Sequence, residues 1–311
     1  MIWYLLRNNI GRRSCFMGKL LLGLVLFVSV FFPLKAYSLD VLKPHVSASS
    51  KDGRGDYYNE LYIVIMEATK DDFGEYLVEV TPLEFSQQRA ILEVVSGEKV
   101  NVTSQVARLD WEKKTIPIRI PISKGLLSYR LFFIHKDDLD YFSRVKDLEE
   151  LKKTKMGLQA QWSITRALEL QGFNIVDGTV YEGMFGMLNR GRFKFFPRGL
   201  NEIYSELNEW KLLYPDMMIE PTLSLFVPLP TFIFVSPAYP RLAERLEVGL
   251  KRIIKNGEFD KLFETHYGQA FSKAKFEKRI IFYASNPLLT PETLKAVQTY
   301  KKIMSWDKMK L

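Results

Sequence analysis

The chain of 311 residues contains one cysteine, Cys15, and three histidines, His45, His135 and His266. Cys15 precedes a long apolar run, so everything beyond that run lacks a thiol. This excludes a disulfide framework and thiolate chemistry there, and stability has to come from a large core. The histidines are widely separated and share no metal-ligand spacing. The chain has no Gly-x-Ser-x-Gly elbow, phosphate loop or dinucleotide fingerprint, and no internal repeat or low-complexity tract. Glu149-Glu150 reads as a solvated helix face rather than an acid–base pair. The expectation is a protein that is not an enzyme and carries no cofactor or metal.

What is present begins with a leader. Arg7, Arg12, Arg13 and Lys19 precede an apolar run from Leu20 to Leu34, followed by Ala36-Tyr37-Ser38. A charged region, an apolar core and small residues at −3 and −1 make an export signal, with cleavage expected after Ser38. The run is shorter than the ~20 residues a helix needs to cross a bilayer. Removing the leader changes the charge. The whole chain has 44 basic and 36 acidic residues, a net charge of +8; the leader holds five of the basic ones (Arg7, Arg12, Arg13, Lys19, Lys35) and no acidic one, which leaves 39 against 36, or +3. No basic stripe with interleaved aromatics remains, so a nucleic-acid partner is not expected. The remaining 273 residues (311 less 38) suffice for two modest domains or one large one.

Those residues alternate between helical and extended patterns. Leu61, Val64, Ile65 and Ala68 form one apolar face of a helix from Asp56 to Thr69, and Ser86 is placed to cap the next helix, which stops near Gly97. Tyr129 to Ile134 reads as a strong strand. Strands are expected at 155–159, 173–176, 193–196, 231–235 and 279–283, and helices at 164–170, 181–189, 201–210 and 237–255. Ser163 is the expected cap of the second of these groups' first helix. The helix 237–255 buries Leu242, Leu246, Leu250 and Ile253, with Arg241, Glu244, Arg245, Glu247, Lys251 and Arg252 on its other face. A short helix ending at Gly268 follows. Such alternation implies crossover connections and largely parallel sheets.

The run from Ser236-Pro237-Ala238-Tyr239-Pro240-Arg241 through Asn256-Gly257-Glu258-Phe259 to Tyr267-Gly268 resembles the closing helices of family 3 periplasmic solute-binding proteins. Asp147-Leu148-Glu149-Glu150-Leu151 with Met156-Gly157-Leu158-Gln159, and Leu188-Asn189-Arg190-Gly191-Arg192, fit the same template in order. The resemblance implies an α/β, two-lobed type 2 periplasmic-binding-protein fold with a double-strand hinge. Residues 39–135 and 231–311 are expected in lobe one and 136–230 in lobe two. It also implies a periplasmic location, a small-molecule ligand, closure about the hinge, an inner-membrane ABC permease or sensor as partner, and a monomer.

The chain departs from this family where the ligand is held. Amino-acid-binding members have a Thr-Pro-Glu-Arg-like segment whose arginine takes the ligand carboxylate; here the stretch is Leu109-Asp110-Trp111-Glu112, with Arg108 and Arg119 as alternative anchors. Where members have Gly-Thr or Gly-Ser, this chain has Gln159-Ala160-Gln161-Trp162-Ser163. Where they place a carboxylate for the ligand ammonium, it has Phe196-Pro197-Arg198-Gly199. An arginine there reverses the preferred ligand charge, and its planar fork suits a carboxylate or phosphate. The expected ligand residues are Tyr57, Arg108, Glu112, Gln159, Trp162, Ser163 and Arg198. Each has a structural alternative: a hydrophobic staple for Tyr57, helix packing for Trp162, a helix cap for Ser163. The expected function is closure on a small polar or anionic solute for transport or sensing. A ligand-sensing or protein-interacting clamp without transport, and an enzyme on the same fold, are the alternatives.

Overall fold

The computed structural model describes residues 39–46, 54–82 and 87–302. The expected leader, its cleavage site and the Ser86 cap lie outside these residues. Among the described residues no helix is long and apolar enough to cross a membrane.

The first part of the chain contributes β1 (Asp40–Leu42), β2 (His45–Val46), α1 (Arg54–Glu67), α2 (Lys70–Phe73), β3 (Tyr76–Val78), β4 (Thr81–Pro82), α3 (Gln87–Ser96), β5 (Val102–Val106), α4 (Leu109–Lys114) and β6 (Ile116–Ile118). Then come β7 (Tyr129–His135), α5 (Leu139–Phe142), α6 (Leu148–Lys153), β8 (Met156–Gln159), α7 (Ser163–Leu170), β9 (Ile175–Gly178), α8 (Tyr181–Asn189), β10 (Phe195–Gly199) and α9 (Ile203–Trp210). The last part holds β11 (Met217–Ile219), β12 (Leu223–Phe226), β13 (Thr231–Val235), α10 (Pro240–Asn256), α11 (Glu258–Ala274), β14 (Ile280–Tyr283) and α12 (Pro291–Thr299).

Two larger sheets organise these elements. One runs β14-β12-β7-β10-β8-β9, with β11 also paired to β7; the other is β5-β13-β6. Two parallel pairs, β1-β3 and β2-β4, accompany the smaller sheet. The expectation of largely parallel sheets holds for β10-β8-β9 and β12-β14. It fails at the centres: β7 is antiparallel to β10, β11 and β12, and β13 is antiparallel to β5 and β6. The chain that leaves one sheet and returns to it runs in the opposite sense, which a simple β-α-β repeat does not do.

β7 is buried on both faces from Tyr129 to Ile134, as suits a central strand. The chain therefore enters the larger sheet at Tyr129, ahead of the boundary expected after His135. β14, expected with lobe one, also belongs to the larger sheet through its ladder with β12.

α10 packs against α1 so closely that a Cβ on Gly249 would sit 2.6 Å from the Ile65 carbonyl oxygen. Pro240 opens the helix and Gly257, at φ 86°, closes it. The sequence placed Arg245 on the solvated face of α10, and the structure reverses this: Arg245 is fully buried. It lies three residues after Leu242 and four before Gly249, within the apolar stripe. Its guanidinium donates to Asp40 Oδ2 (2.9 Å), Thr69 Oγ1 (2.9 Å) and the Gly74 carbonyl (2.7 Å). α11 runs past Gly268 to Ala274, longer than expected. Asn101, the acceptor of an Asn-Val-Thr sequon, is buried and ties the first strands to β5: its Oδ1 accepts from Lys43 N and its Nδ2 donates to the Val41 carbonyl.

Candidate functional site

The end of β10 carries a cluster of buried charge: Arg198 and Glu206, with Arg130 on the neighbouring strand. Phe196 and Arg198 alternate onto the same face, opposite Phe133 and Leu131 of β7. Arg198 is buried, and its guanidinium lies 4.5 Å from the ring centre of Trp162, 5.0 Å from Phe196 and 5.5 Å from Tyr181. Trp162 stacks on Phe196 at an interplanar angle of 7°. This arrangement favours a planar cation. Carboxylates complete it. Arg198 Nε and Nη2 donate to Glu206 Oε2 and Oε1 at 2.8 and 2.5 Å, and Nη2 lies 3.1 Å from Glu202 Oε2. The Tyr181 hydroxyl donates to Glu206 Oε1 at 2.6 Å. Burial alone lowers an arginine pKa, but the two carboxylates outweigh it and hold Arg198 above its ordinary value. Burial, with Glu206 beside it, pushes the Tyr181 phenol up.

A second arginine meets this network from the neighbouring strand. Arg130 of β7 pairs in register with Gly199 of β10 and Leu225 of β12, and is buried. Its Nη1 reaches Glu202 Oε1 at 3.5 Å, and its Nε is enclosed without a hydrogen-bond partner. Burial lowers its pKa to about 10, opposed only in part by Glu202 and Glu206. Gly199 allows the close turn that brings Glu202 back: a Cβ there would stand 2.5 Å from Asn201 Oδ1, and Glu202 Oε1 accepts from Gly199 N.

The loop before α7 forms the adjoining wall. The Gln159 carbonyl accepts from Trp162 N (3.1 Å) and Thr165 Oγ1 (2.6 Å), which fixes the turn. Trp162, with extended backbone, occupies the cap position and makes no side-chain cap bond. Ser163 is therefore the first helical residue rather than the cap. Within the first turn of α7, Thr165 N donates to the Trp162 carbonyl at 3.0 Å.

Four of the seven expected ligand residues thus share one region: Gln159, Trp162, Ser163 and Arg198. The other three have separate environments. Tyr57 is fully buried; its hydroxyl donates to the Ile122 carbonyl at 2.6 Å and its ring meets Tyr58, Phe263 and Tyr267. Burial drives its phenol pKa well up. Arg108 forks onto Asp110 at 3.0 and 2.5 Å. Glu112 is enclosed and accepts from Arg119, Thr290 and Thr293.

Arg130, Tyr181, Glu202 and Glu206 were not expected. Two signals mark them in the sequence: Arg198, Glu202 and Glu206 recur at intervals of four, and Arg130 interrupts an otherwise apolar strand. Among the described residues no group of three or more His, Cys, Asp or Glu side chains is arranged to hold a metal.

No family model and no curated relative matches the chain. Solved structures do. An ancestral arginine-binding protein bound to glutamine is 20% identical, aligns over 75% of this chain and all of its own, and superposes with a TM-score of 0.50. A periplasmic His/Glu/Gln/Arg/opine family-binding protein from Silicibacter pomeroyi, in complex with lysine, gives 8% identity, 75% and 98% coverage and a TM-score of 0.50. A histidine kinase sensor domain with similarity to periplasmic binding proteins gives 15% identity, 75% and 97% coverage and a TM-score of 0.51. The fold is that of the two-lobed periplasmic binding proteins, with mixed α/β lobes.

Proposed function

We propose that the exported chain is a solute-binding clamp of the periplasm, closing about a double-strand hinge on a small polar solute that bears an anionic group. The hinge is assigned to β7 and β12, which run antiparallel as neighbours. The observation that carries the anionic part is the pair of guanidinium groups at the end of β10. Arg198 is neutralised by Glu202 and Glu206, while Arg130 has one carboxylate oxygen at 3.5 Å and an unpartnered Nε. A buried charge with incomplete pairing favours an incoming counter-charge. The N-terminus of α7 supplies further N–H donors and a partial positive charge beside it. Trp162 offers an aromatic edge next to these groups. Gln159, Trp162, Ser163 and Arg198 accordingly line or support the site, with Arg130 as its cationic anchor.

Delivery to an inner-membrane ABC permease and reporting to a sensor are both compatible with such a clamp. The likeness to a histidine kinase sensor domain favours keeping the sensing reading beside transport.

A thermal-shift screen of residues 39–311 tests the reading. Organic acids, amino acids, polyamines and sugars are compared at equal ionic strength. A solute at 100 times its Kd adds about 2.7 kcal/mol to stability. The expected positives are carboxylate-bearing solutes. A positive only among polyamines, or among uncharged sugars, overturns the anionic assignment.

A further inference from the structure

The segment after α11 touches both sheets. Arg279 opens it, with Nη1 donating to the Glu220 and Leu223 carbonyls at 2.5 and 2.8 Å. β14 then pairs with β12 from Leu223↔Ile280 to Phe226↔Tyr283. Asn286 Nδ2 donates to the Pro228 carbonyl at 2.9 Å, along the second crossing. This stretch belongs to the larger sheet.

Four residues later the attachments change sides. Thr290 caps α12 by accepting from Thr293 N at 3.1 Å. Ala296 is buried in the cluster that contains Trp111, Phe232 and Phe234, against the smaller sheet. The anchor is Glu112 of α4. Its Oε2 accepts from Thr290 Oγ1 (2.9 Å) and Arg119 Nη2 (3.0 Å), and its Oε1 from Thr293 Oγ1 (2.7 Å). The Glu112 side chain is only 4% exposed.

We propose that residues 279–299 form a third strap between the lobes, latched at Glu112, which limits how far the clamp opens. The proposal rests on the clamp reading above. Rotation about two neighbouring antiparallel crossings mainly twists them. A third connection, laddered to β12 and continuing beside the second crossing, has to follow that twist or let go at its latch. Asn286 and Thr290 are four residues apart, a reach of at most about 14 Å when extended. Pro287 stiffens this run and Leu289 is buried, so it has little slack to give. Wide opening therefore costs the two threonine bonds to Glu112.

The test is a distance distribution between spin labels on the two lobes, at Glu169→Cys and Lys251→Cys. Both sites are exposed, and residues 39–311 contain no native thiol to interfere. Two changes are compared with the parent. Glu112→Gln weakens the latch while keeping its shape. A six-residue Gly/Ser insertion between Pro287 and Leu288 leaves every contact in place and adds reach of ~13 Å. Each is expected to add a population at longer separation, larger for the insertion, with little change in melting temperature for the insertion. If the insertion leaves the distribution unchanged, the strap does not limit opening. The clamp reading fails by a different result: no carboxylate of the thermal-shift panel shortens the distance in the parent chain.

Discussion

Arg245 on α10 and the Arg198–Arg130 pair on β10 and β7 are all buried, yet they are partnered differently. Arg245 donates through Nε to Thr69, through Nη1 to Asp40 and the Glu75 carbonyl, and through Nη2 to the Met66 and Gly74 carbonyls. Phe73 and Tyr76 cover it at 5.8 and 5.4 Å. Its partners lie in or close in sequence to α1 and β1–β3, so this arginine fastens α10 to those elements. Arg198 has two carboxylates and three rings, drawn from β10, α8, α9 and the cap positions of α7 and α9. It shares Glu202 with Arg130, and that sharing leaves Arg130 underpaired. Burial alone does not separate a structural arginine from a binding one. The separation proposed here comes from how many donors are used, and from whether their partners converge at a strand end.

The comparison breaks most sharply at Arg245. Arg245→Met leaves Asp40 with Arg241 as its remaining ion-pair partner and removes the Arg245 donors from the part-buried Gly74 and Glu75 carbonyls, while the Met66 carbonyl keeps Thr69. The expected loss is about 3 kcal/mol of stability, read from the denaturant midpoint. Solute affinity, measured well below the new midpoint, is expected to stay the same. A loss of affinity equal to the loss in Arg198 variants would mean that the two regions are not separate in role.

Arg198→Met comes next. Glu206 keeps Tyr181, and Glu202 keeps Arg130 and Gly199 N, so the carboxylates are not wholly abandoned. The expected cost is about 2 kcal/mol. Glu206→Leu in the same chain is expected to recover part of it, because the second change removes the charge stranded by the first. A strictly additive double mutant would show that the 2.5 Å contact carries no coupling.

How much of this was legible depended on pattern strength. α10 read correctly because its apolar stripe, opening proline and closing glycine agree with one another. Arg245 was misassigned because its charge was given more weight than its phase on the helix. β12 went unread: Leu223–Phe226 is buried at every position, so it has no alternation to find, and prolines flank it on both sides. α12 did carry a signature, Thr290-Pro291-Glu292 ahead of an apolar stripe, but it lies beyond the stretch that resembles other binding proteins. Glu112 illustrates the remaining limit. Its partners Thr290 and Thr293 stand more than 170 residues away in sequence, and no local pattern announces such a contact.

The smallest effect on stability is expected at Arg130, together with the clearest effect on binding. Burial lowers its pKa to about 10, so at neutral pH it still carries its charge, at a cost to the fold. Against that cost stand one 3.5 Å contact to Glu202 and an idle Nε. Glu202 retains Arg198 and Gly199 N when Arg130 is replaced. Arg130→Met should therefore shift stability by no more than about 1 kcal/mol in either direction, since an apolar side chain of similar length can replace a poorly paired buried charge. The same variant should lose the thermal shift from carboxylate-bearing solutes. Arg130→Lys, which keeps the charge without the fork, should retain a weakened shift. If Arg130→Met instead melts as early as Arg245→Met and still binds the solute, then Arg130 is a second structural arginine and the anion is held elsewhere.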